Sequence, residues 1–247
     1  MEEMVSRLIS LFSPGSRVTQ LPYPVDFHSH LIPGLDDGVK SVDDTVSILS
    51  FFEQLGIKRC ITTPHIMAYA YPNTSDTIRS GIESLTSQLP LTPGLEAAAE
   101  YYLDETFIPL LDQPGALMTF DDRYLLFETN FVSEPLNLNE VIFNMTVAGY
   151  RPVLAHPERY AYMTVERAED IRNRGVLLQL NLLSLIGFYG RPAENMARQL
   201  IERSMIDAVG SDAHNIAQAH LLLDVMQTRT FAKAMELPLL NYSLAVV

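Results

Sequence analysis

From Tyr23 onward the chain alternates short apolar runs with longer stretches whose apolar residues recur at helical spacing, the rhythm of successive βα units and a parallel sheet. Seven runs read as strands: 24–28, 58–62, 95–99, 123–128, 152–155, 176–180 and 206–209. Between them, 41–55 reads as a helix capped by Ser41 and Asp44 and closed by Gly56, and 164–174 as one capped by Thr164 and closed by Gly175. Upstream, Val5, Leu8, Leu11 and Phe12 share a helical face that ends at Ser13-Pro14-Gly15-Ser16. Residues 1–22 therefore read as a helical extension that packs on its own domain or touches a partner. With no linker-like composition after residue 22, 23–247 reads as one α/β domain. Seven units suggest barrel-like closure, although a doubly wound open sheet obeys the same local pattern; both gather ligands at the carboxyl ends of the strands. The tail from Phe231, interrupted by Pro238, gives no reading of its own.

Polar residues collect where the apolar runs end. The densest stretch is Asp26-Phe27-His28-Ser29-His30, followed by Pro33-Gly34-Leu35-Asp36-Asp37-Gly38. Residues two apart on a strand share a face, so His28 and His30 can aim both imidazoles at one cation. The turns at Pro33-Gly34 and Asp37-Gly38 bring Asp36 or Asp37 back over that mouth, and Asp26 is placed to orient a ligand from behind. Imidazole with carboxylate is a borderline donor set that fits Mn, Fe or Zn better than Ca or Mg. Of the six histidines, His65, His156 and His214 also follow apolar runs, whereas His220 falls outside the pattern and reads as surface or helix packing.

Taking the run ends in order adds Glu100, Glu128 and Asp212 to these histidines, and with Asp37 there are nine nitrogen and oxygen donors. Read singly, His65 is a loop residue after Pro64, Glu100 a surface acid and Glu128 the polar end of a buried strand. Chance does not readily collect all of them at one sheet edge. One ion takes roughly four to six donors, so the set suits two or three ions sharing carboxylates. Such ions polarise a phosphoryl oxygen, lower the pKa of a bridging water and support in-line displacement, which makes phosphoester hydrolysis the natural chemistry. Arg159, in His156-Pro157-Glu158-Arg159-Tyr160, is placed to hold two phosphoryl oxygens, or else it pairs with Glu158 or another surface acid. Tyr69, Tyr71 and Tyr160 are candidates to line an aromatic-accepting mouth.

Composition trims the alternatives. Seventeen basic against thirty acidic side chains leave a net charge of −13, a poor surface for a phosphate backbone, so nucleic acid is a weak candidate partner. The lone Cys60 excludes an internal disulfide and reads as a buried structural thiol, which fits a cytoplasmic address. The N-terminus lacks the basic start and long apolar core of a signal peptide, and the longest uncharged window, 175–190, is too short and too polar to span a membrane. A cysteine phosphatase needs Arg about six residues past its nucleophile, and Ile66 stands there. No Gly-Lys-Ser/Thr phosphate loop and no Gly-X-Ser-X-Gly elbow is present.

Together, Asp26-Phe27-His28-Ser29-His30, Pro33-Gly34-Leu35-Asp36-Asp37-Gly38, Thr63-Pro64-His65, Ala99-Glu100-Tyr101, Leu126-Phe127-Glu128, His156-Pro157-Glu158-Arg159-Tyr160 and Ser211-Asp212-Ala213-His214-Asn215 resemble the polymerase and histidinol phosphatase (PHP) superfamily. Within it they look most like the bacterial manganese-dependent tyrosine phosphatases of capsule and exopolysaccharide loci. The resemblance runs from about Asp26 to Asn215. It implies a distorted (β/α)7 TIM-like barrel with up to three Mn, Fe or possibly Zn ions held by His28, His30, Asp37, His65, Glu100, Glu128, His156, Asp212 and His214, and favours Asp37 over Asp36. It places Arg159 on the phosphate; Tyr160 next to it is read as a substrate contact, and Asp212 and His214 are read as part of the catalytic set. The implied substrate is phosphotyrosine on a membrane-associated tyrosine autokinase that controls polysaccharide export. Two features depart from the family pattern. Ile216-Ala217-Gln218-Ala219-His220 supplies no second phosphate-binding arginine, and the shortest relatives have no counterpart of the segment before Ser13. The alternatives are a small-molecule phosphatase acting on an ester such as histidinol phosphate, and a metal-stabilised regulatory module with vestigial catalysis.

Overall fold

The computed structural model describes residues 19–89, 93–113, 115–121 and 123–244; the amphipathic segment expected before Ser13 lies outside them. Among the described residues nine short strands are all joined in parallel: β1 (Val25–Asp26), β2 (Arg59–Thr62), β3 (His65–Ile66), β4 (Gly94–Ala97), β5 (Glu100–Tyr102), β6 (Tyr124–Glu128), β7 (Arg151–Ala155), β8 (Leu177–Asn181) and β9 (Ala208–Gly210). One ladder runs β1-β2-β4 and the other β3-β5-β6-β7-β8-β9. The seven expected strands are all present, and the two additional ones continue strands already counted. β3 follows β2 across Thr63-Pro64, where proline removes a ladder donor, and β5 follows β4 across Ala98-Ala99.

The two ladders also meet at their outer edges. Asp212 N donates to His28 O at 2.8 Å and His30 N to Ala213 O at 3.0 Å, with Ser29 bridged in parallel to Ala213. Asn241 stitches the lower part of the same seam, its Nδ2 donating to Val25 O and Val209 O while its Oδ1 accepts from Val209 N. The cycle β1, β2/β3, β4/β5, β6, β7, β8, β9 and back to β1 is the expected (β/α)7 arrangement. The tail that gave no reading thus supplies the residue that seals the bottom of the seam.

Among the described residues there are nine helices, eight of which follow these strands: α1 (Val42–Gln54), α2 (Ser75–Thr86), α3 (Phe107–Leu111), α4 (Leu138–Val147), α5 (Val165–Asn173), α6 (Arg191–Glu202), α7 (Ile216–Val225) and α8 (Arg229–Ala234); α9 (Leu240–Ser243) closes the described chain. Ser41 and Asp44 form a reciprocal cap on α1, and Thr164 accepts from Arg167 N at the start of α5, as their sequences foretell. An inner cluster of Val25, Phe27, Ile61, Leu126, Val153 and Ala208 fills the barrel below the site. A larger one, including Ile48, Phe52, Leu154, Leu178 and Leu200, packs strands against helices. Cys60 is buried and free, as expected. Side chains buried on both faces explain why the strands read as continuous apolar runs. Above this apolar floor, at the carboxyl ends of the strands, inward side chains such as His28, Gln179 and Asn181 turn polar.

Candidate metal centre

All nine expected donors converge at those carboxyl ends. Their ligating atoms fall into four overlapping groups, each within 4.8 Å: His30, Asp37, His65 and His214; His28, His30 and Asp212; His28, Glu100 and His156; and His65, Glu100 and Glu128. Backbone pairing explains the convergence of sites far apart in sequence. The bonds that join β1 to β9 set His28 and His30 beside Asp212, while the β3–β5 register pairs His65 with Glu100.

Glu100 is fully buried at the middle. Its Oε2 lies 3.1 Å from His28 Nε2, 3.5 Å from His30 Nε2 and 3.3 Å from His65 Nδ1, and its Oε1 lies 3.0 Å from His156 Nε2. Asp212 Oδ1 faces His28 and His30 at 3.4 and 3.3 Å, and Asp37 Oδ1 stands 3.6 Å from His65 Nε2 and 3.5 Å from His214 Nε2. His28 Nε2 and His156 Nε2 are within hydrogen-bond distance of Glu100, but the rest of the set is not satisfied from within: His30 Nε2, His65 Nδ1 and Glu128 Oε1 are buried with no hydrogen bond. Unsatisfied buried donors and acceptors of this kind are costly, and shared divalent cations are the partners that such a set fits.

Three rings are oriented from behind. His28 Nδ1 donates to Gln179 Oε1 at 2.8 Å, His30 Nδ1 to Asp36 Oδ2 at 2.7 Å and His214 Nδ1 to Asp212 O at 2.8 Å, which leaves each Nε2 for the centre. Asp36 also accepts from the backbone N–H of Gly38 and His65, so it is the orienting acid and Asp37 the one that reaches the cluster. Asp26 accepts from Ser211 N and Oγ, and so acts from behind the donors by bracing the turn that carries Asp212. Strand β8 contributes no donor, yet its inward Gln179 and Asn181 hold His28 and Asp212, the latter through Asn181 Nδ2 at 2.6 Å from Asp212 Oδ2.

The backbone is bent to serve this convergence. His156 and Asp212 have φ of 34° and 49°, left-handed values that a side chain resists, and both sit just past strand ends. Gly210 cannot carry a side chain, because a Cβ there would come 2.6 Å from Gln179 Nε2 and 2.7 Å from His28 Cβ.

Electrostatics follow from the crowding. Burial lowers the His28 pKa, but the Glu100 and Asp212 carboxylates outweigh it and push it up to about 9. Burial favours the protonated forms of Glu100 and Asp212 too, yet the surrounding histidines hold both well below the ordinary carboxylate range. His156 is lowered by burial and by Arg159. Beside the site, burial raises Glu158 to about 7 even though Ser184 Oγ and Asn181 N donate to it.

Above the donors opens a cavity of about 390 Å³. Arg159 reaches into it, donating from Nη1 to Asp212 Oδ2 at 3.0 Å, so its acid partner belongs to the cluster and is not Glu158. Its guanidinium lies 4.1 Å from the Tyr189 ring centre and 4.7 Å from that of Phe131. Met67, Tyr71, Asn215 and Gln218 complete the wall, Tyr71 stacking on His65.

The aromatic mouth differs from expectation in two places. Tyr160 is buried, its hydroxyl donating to Ala155 O and accepting from Thr129 N, so it braces the strand ends and offers nothing to a substrate. Tyr69 is 86 % exposed, donates to Glu105 and does not line this cavity. Phe131 and Tyr189 take those roles. Both lie in loops whose sequences carry no periodic signal, although each follows a strand that ends at the rim. His220 packs edge-on against Phe51 away from the site, in keeping with its reading as helix packing.

Known proteins match most of this chain. It is 28 % identical over 201 residues to a tyrosine-protein phosphatase of Bacillus subtilis, YwqE, covering 78 % of each chain. It is 24 % identical over 204 residues to a putative tyrosine-protein phosphatase of Staphylococcus aureus, CapC, covering 81 % of this chain and 80 % of the relative. Its fold superposes with a TM-score of 0.72 and 24 % identity on a crystal structure from work on YwqE of Bacillus subtilis and CpsB of Streptococcus pneumoniae, described as unique metal-dependent tyrosine phosphatases; the match covers 86 % of this chain and 91 % of that one. The family model for CpsB/CapC capsular polysaccharide synthesis matches residues 24–228, which span the barrel and all nine donors, and the chain belongs to that family.

Proposed function

We propose that this chain is a metal-dependent phosphatase that hydrolyses phosphotyrosine on proteins. The observation that carries the reading is Glu100: a fully buried carboxylate whose two oxygens face four imidazoles, beneath a cavity into which an arginine reaches. When bound, divalent ions at the four donor groups supply Lewis acidity toward phosphoryl oxygens and lower the pKa of water beside them. The imidazole and carboxylate mixture favours manganese or iron, and nine donors in overlapping groups accommodate up to three ions.

The chain's own side chains do the rest. Arg159, placed over the rings of Tyr189 and Phe131, offers its guanidinium to non-bridging oxygens of the phosphate. Asp212, which accepts from Arg159 Nη1, and His214 would each hold a metal ion at the same rim. The phenyl ring of the substrate packs against the aromatic wall of Tyr71, Phe131 and Tyr189. Phenolate leaves readily, so a weak acid suffices to protonate it.

The physiological substrate is a tyrosine autokinase of the polysaccharide export machinery, met in the cytoplasm at its phosphorylated tail. Membership of a capsular polysaccharide synthesis family and relatives named tyrosine-protein phosphatases support this choice. Among the described residues no helix is long and apolar enough to cross a membrane. The test is to strip the protein of metal and titrate Mn, Fe, Zn and Mg against a phosphotyrosine peptide and histidinol phosphate. Manganese is expected to restore turnover of the peptide preferentially. Restoration on histidinol phosphate alone, or on neither ester, contradicts the proposal.

A further inference from the structure

We propose that a cleft beside the metal cavity, between the loop after β5 and the start of α4, receives the polypeptide flank of the phosphorylated substrate. It takes an apolar side chain into its floor and a basic one at its lip. The inference rests on the phosphoprotein reading above and adds a recognition surface to it.

The cleft holds about 550 Å³. Leu103, Ile108, Pro109 and Val141 give it an apolar lining, and Asp104 and Glu105 stand at its edge. It belongs to the same rim as the metal centre. Leu103 N donates to the backbone oxygen of Glu128, one of the nine donors, at 3.0 Å, and Asp104 Oδ2 accepts from Ala68 N, next to Met67 in the wall of the metal cavity. The loop that leaves β6 links the two hollows directly: Phe131 lines the metal cavity and Asn137 lines the cleft. Between them Val132 and Leu136 are 77 % and 107 % exposed. Apolar side chains left in water along a line from a reaction cavity to a neighbouring hollow mark a surface that something covers.

Charge narrows what covers it. Asp104 and Glu105 are the charged residues among those that line the cleft, and no Lys or Arg is among them. A strand of substrate running outward from the phosphotyrosine therefore meets apolar surface edged by two carboxylates. The matching flank is apolar and basic, and charges at such a rim govern capture and salt dependence more than the chemical step.

The experiment uses the full manganese-loaded chain and two classes of substrate: 4-nitrophenyl phosphate, and phosphotyrosine peptides with either leucine and lysine or serine and glutamate around the tyrosine. The wild type is expected to favour the Leu/Lys peptide about tenfold in kcat/KM, through KM. Ile108→Lys and Glu105→Arg, both at exposed positions, are expected to remove that preference while 4-nitrophenyl phosphate turnover stays within about twofold. Unchanged peptide preference in both variants overturns the cleft and leaves the phosphatase reading standing. A wild type that hydrolyses none of the substrates overturns that reading and the cleft with it. Sedimentation is run on the same proteins: a wild-type dimer that Ile108→Lys converts to monomer makes a second copy the occupant and overturns the proposal.

Discussion

His28 donates its Nδ1 proton to Gln179 Oε1 at 2.8 Å, and the other end of the same amide is fixed because Gln179 Nε2 donates to Leu180 O. The amide therefore cannot flip without losing both bonds, and His28 is held with Nδ1 as the donor to it and Nε2 turned toward Glu100 and Asp212. A strand that carries no ligand thus decides how a ligand presents itself.

Gln179→Leu keeps the volume and removes the acceptor. Partners of this kind are worth about 10–100-fold in metal affinity. Manganese affinity, measured by calorimetry, is expected to fall by that order while the fold is retained. Unchanged affinity would show that the His28 orientation is set elsewhere.

Arg159→Ala is expected to lower kcat/KM on a phosphotyrosine peptide by about 10²–10³, the usual cost of losing a charge-stabilising donor. Metal content by elemental analysis should stay the same, since Arg159 is not a donor. Arg159→Lys should rescue little, because an ammonium offers neither a planar group to the rings of Phe131 and Tyr189 nor a fork to the phosphate. Turnover unchanged in the alanine variant would remove Arg159 from the reaction.

Tyr160→Phe separates bracing from binding. Loss of the hydroxyl bonds to Ala155 and Thr129 should cost about 1 kcal/mol of stability, read by denaturant melting, with KM for peptide unchanged. A raised KM at wild-type stability would return Tyr160 to the substrate.

pH acts on the metal-free and loaded proteins in opposite ways. His28 titrates near 6.5 when unfolded and about 9 in the folded metal-free chain. Between these values the folded state holds a proton that the unfolded state has released, so the stabilisation is complete below pH 6.5 and is lost as pH rises through 9. Metal must displace that proton, so affinity should climb toward pH 9 by up to about tenfold per unit for each proton released. Manganese titrations at several pH values in buffers of different ionisation enthalpy read the proton directly; absence of proton release at pH 7.5 contradicts this account.

The barrel and its donors were legible because each rests on a signal local in sequence. Apolar runs such as 176–180 announce strands, and acids and histidines placed at their ends have few roles besides chemistry. The breaks at Thr63-Pro64 and Ala98-Ala99 were not legible, since a strand that pauses and resumes keeps the same apolar run. Asn181 reads as an ordinary polar residue until β8 turns it inward against Asp212. Asp26, two residues before His28, reads as an orienting acid, and only the β1–β9 seam reveals that its partner is Ser211. Tyr160 was misplaced because a tyrosine beside a site motif suits a pocket and a core equally well, and backbone acceptors on other strands decide between them.

The most direct test of the whole account is anomalous diffraction at the manganese edge from crystals of the full chain grown with Mn. Peaks should appear between Glu100, Glu128 and His65, between His28, His30 and Asp212, and beside Asp37 and His214, all beneath Arg159. Crystals that bind manganese elsewhere, or whose rim holds no anomalous peak at saturating metal, would contradict the claim that these nine side chains form a metal centre.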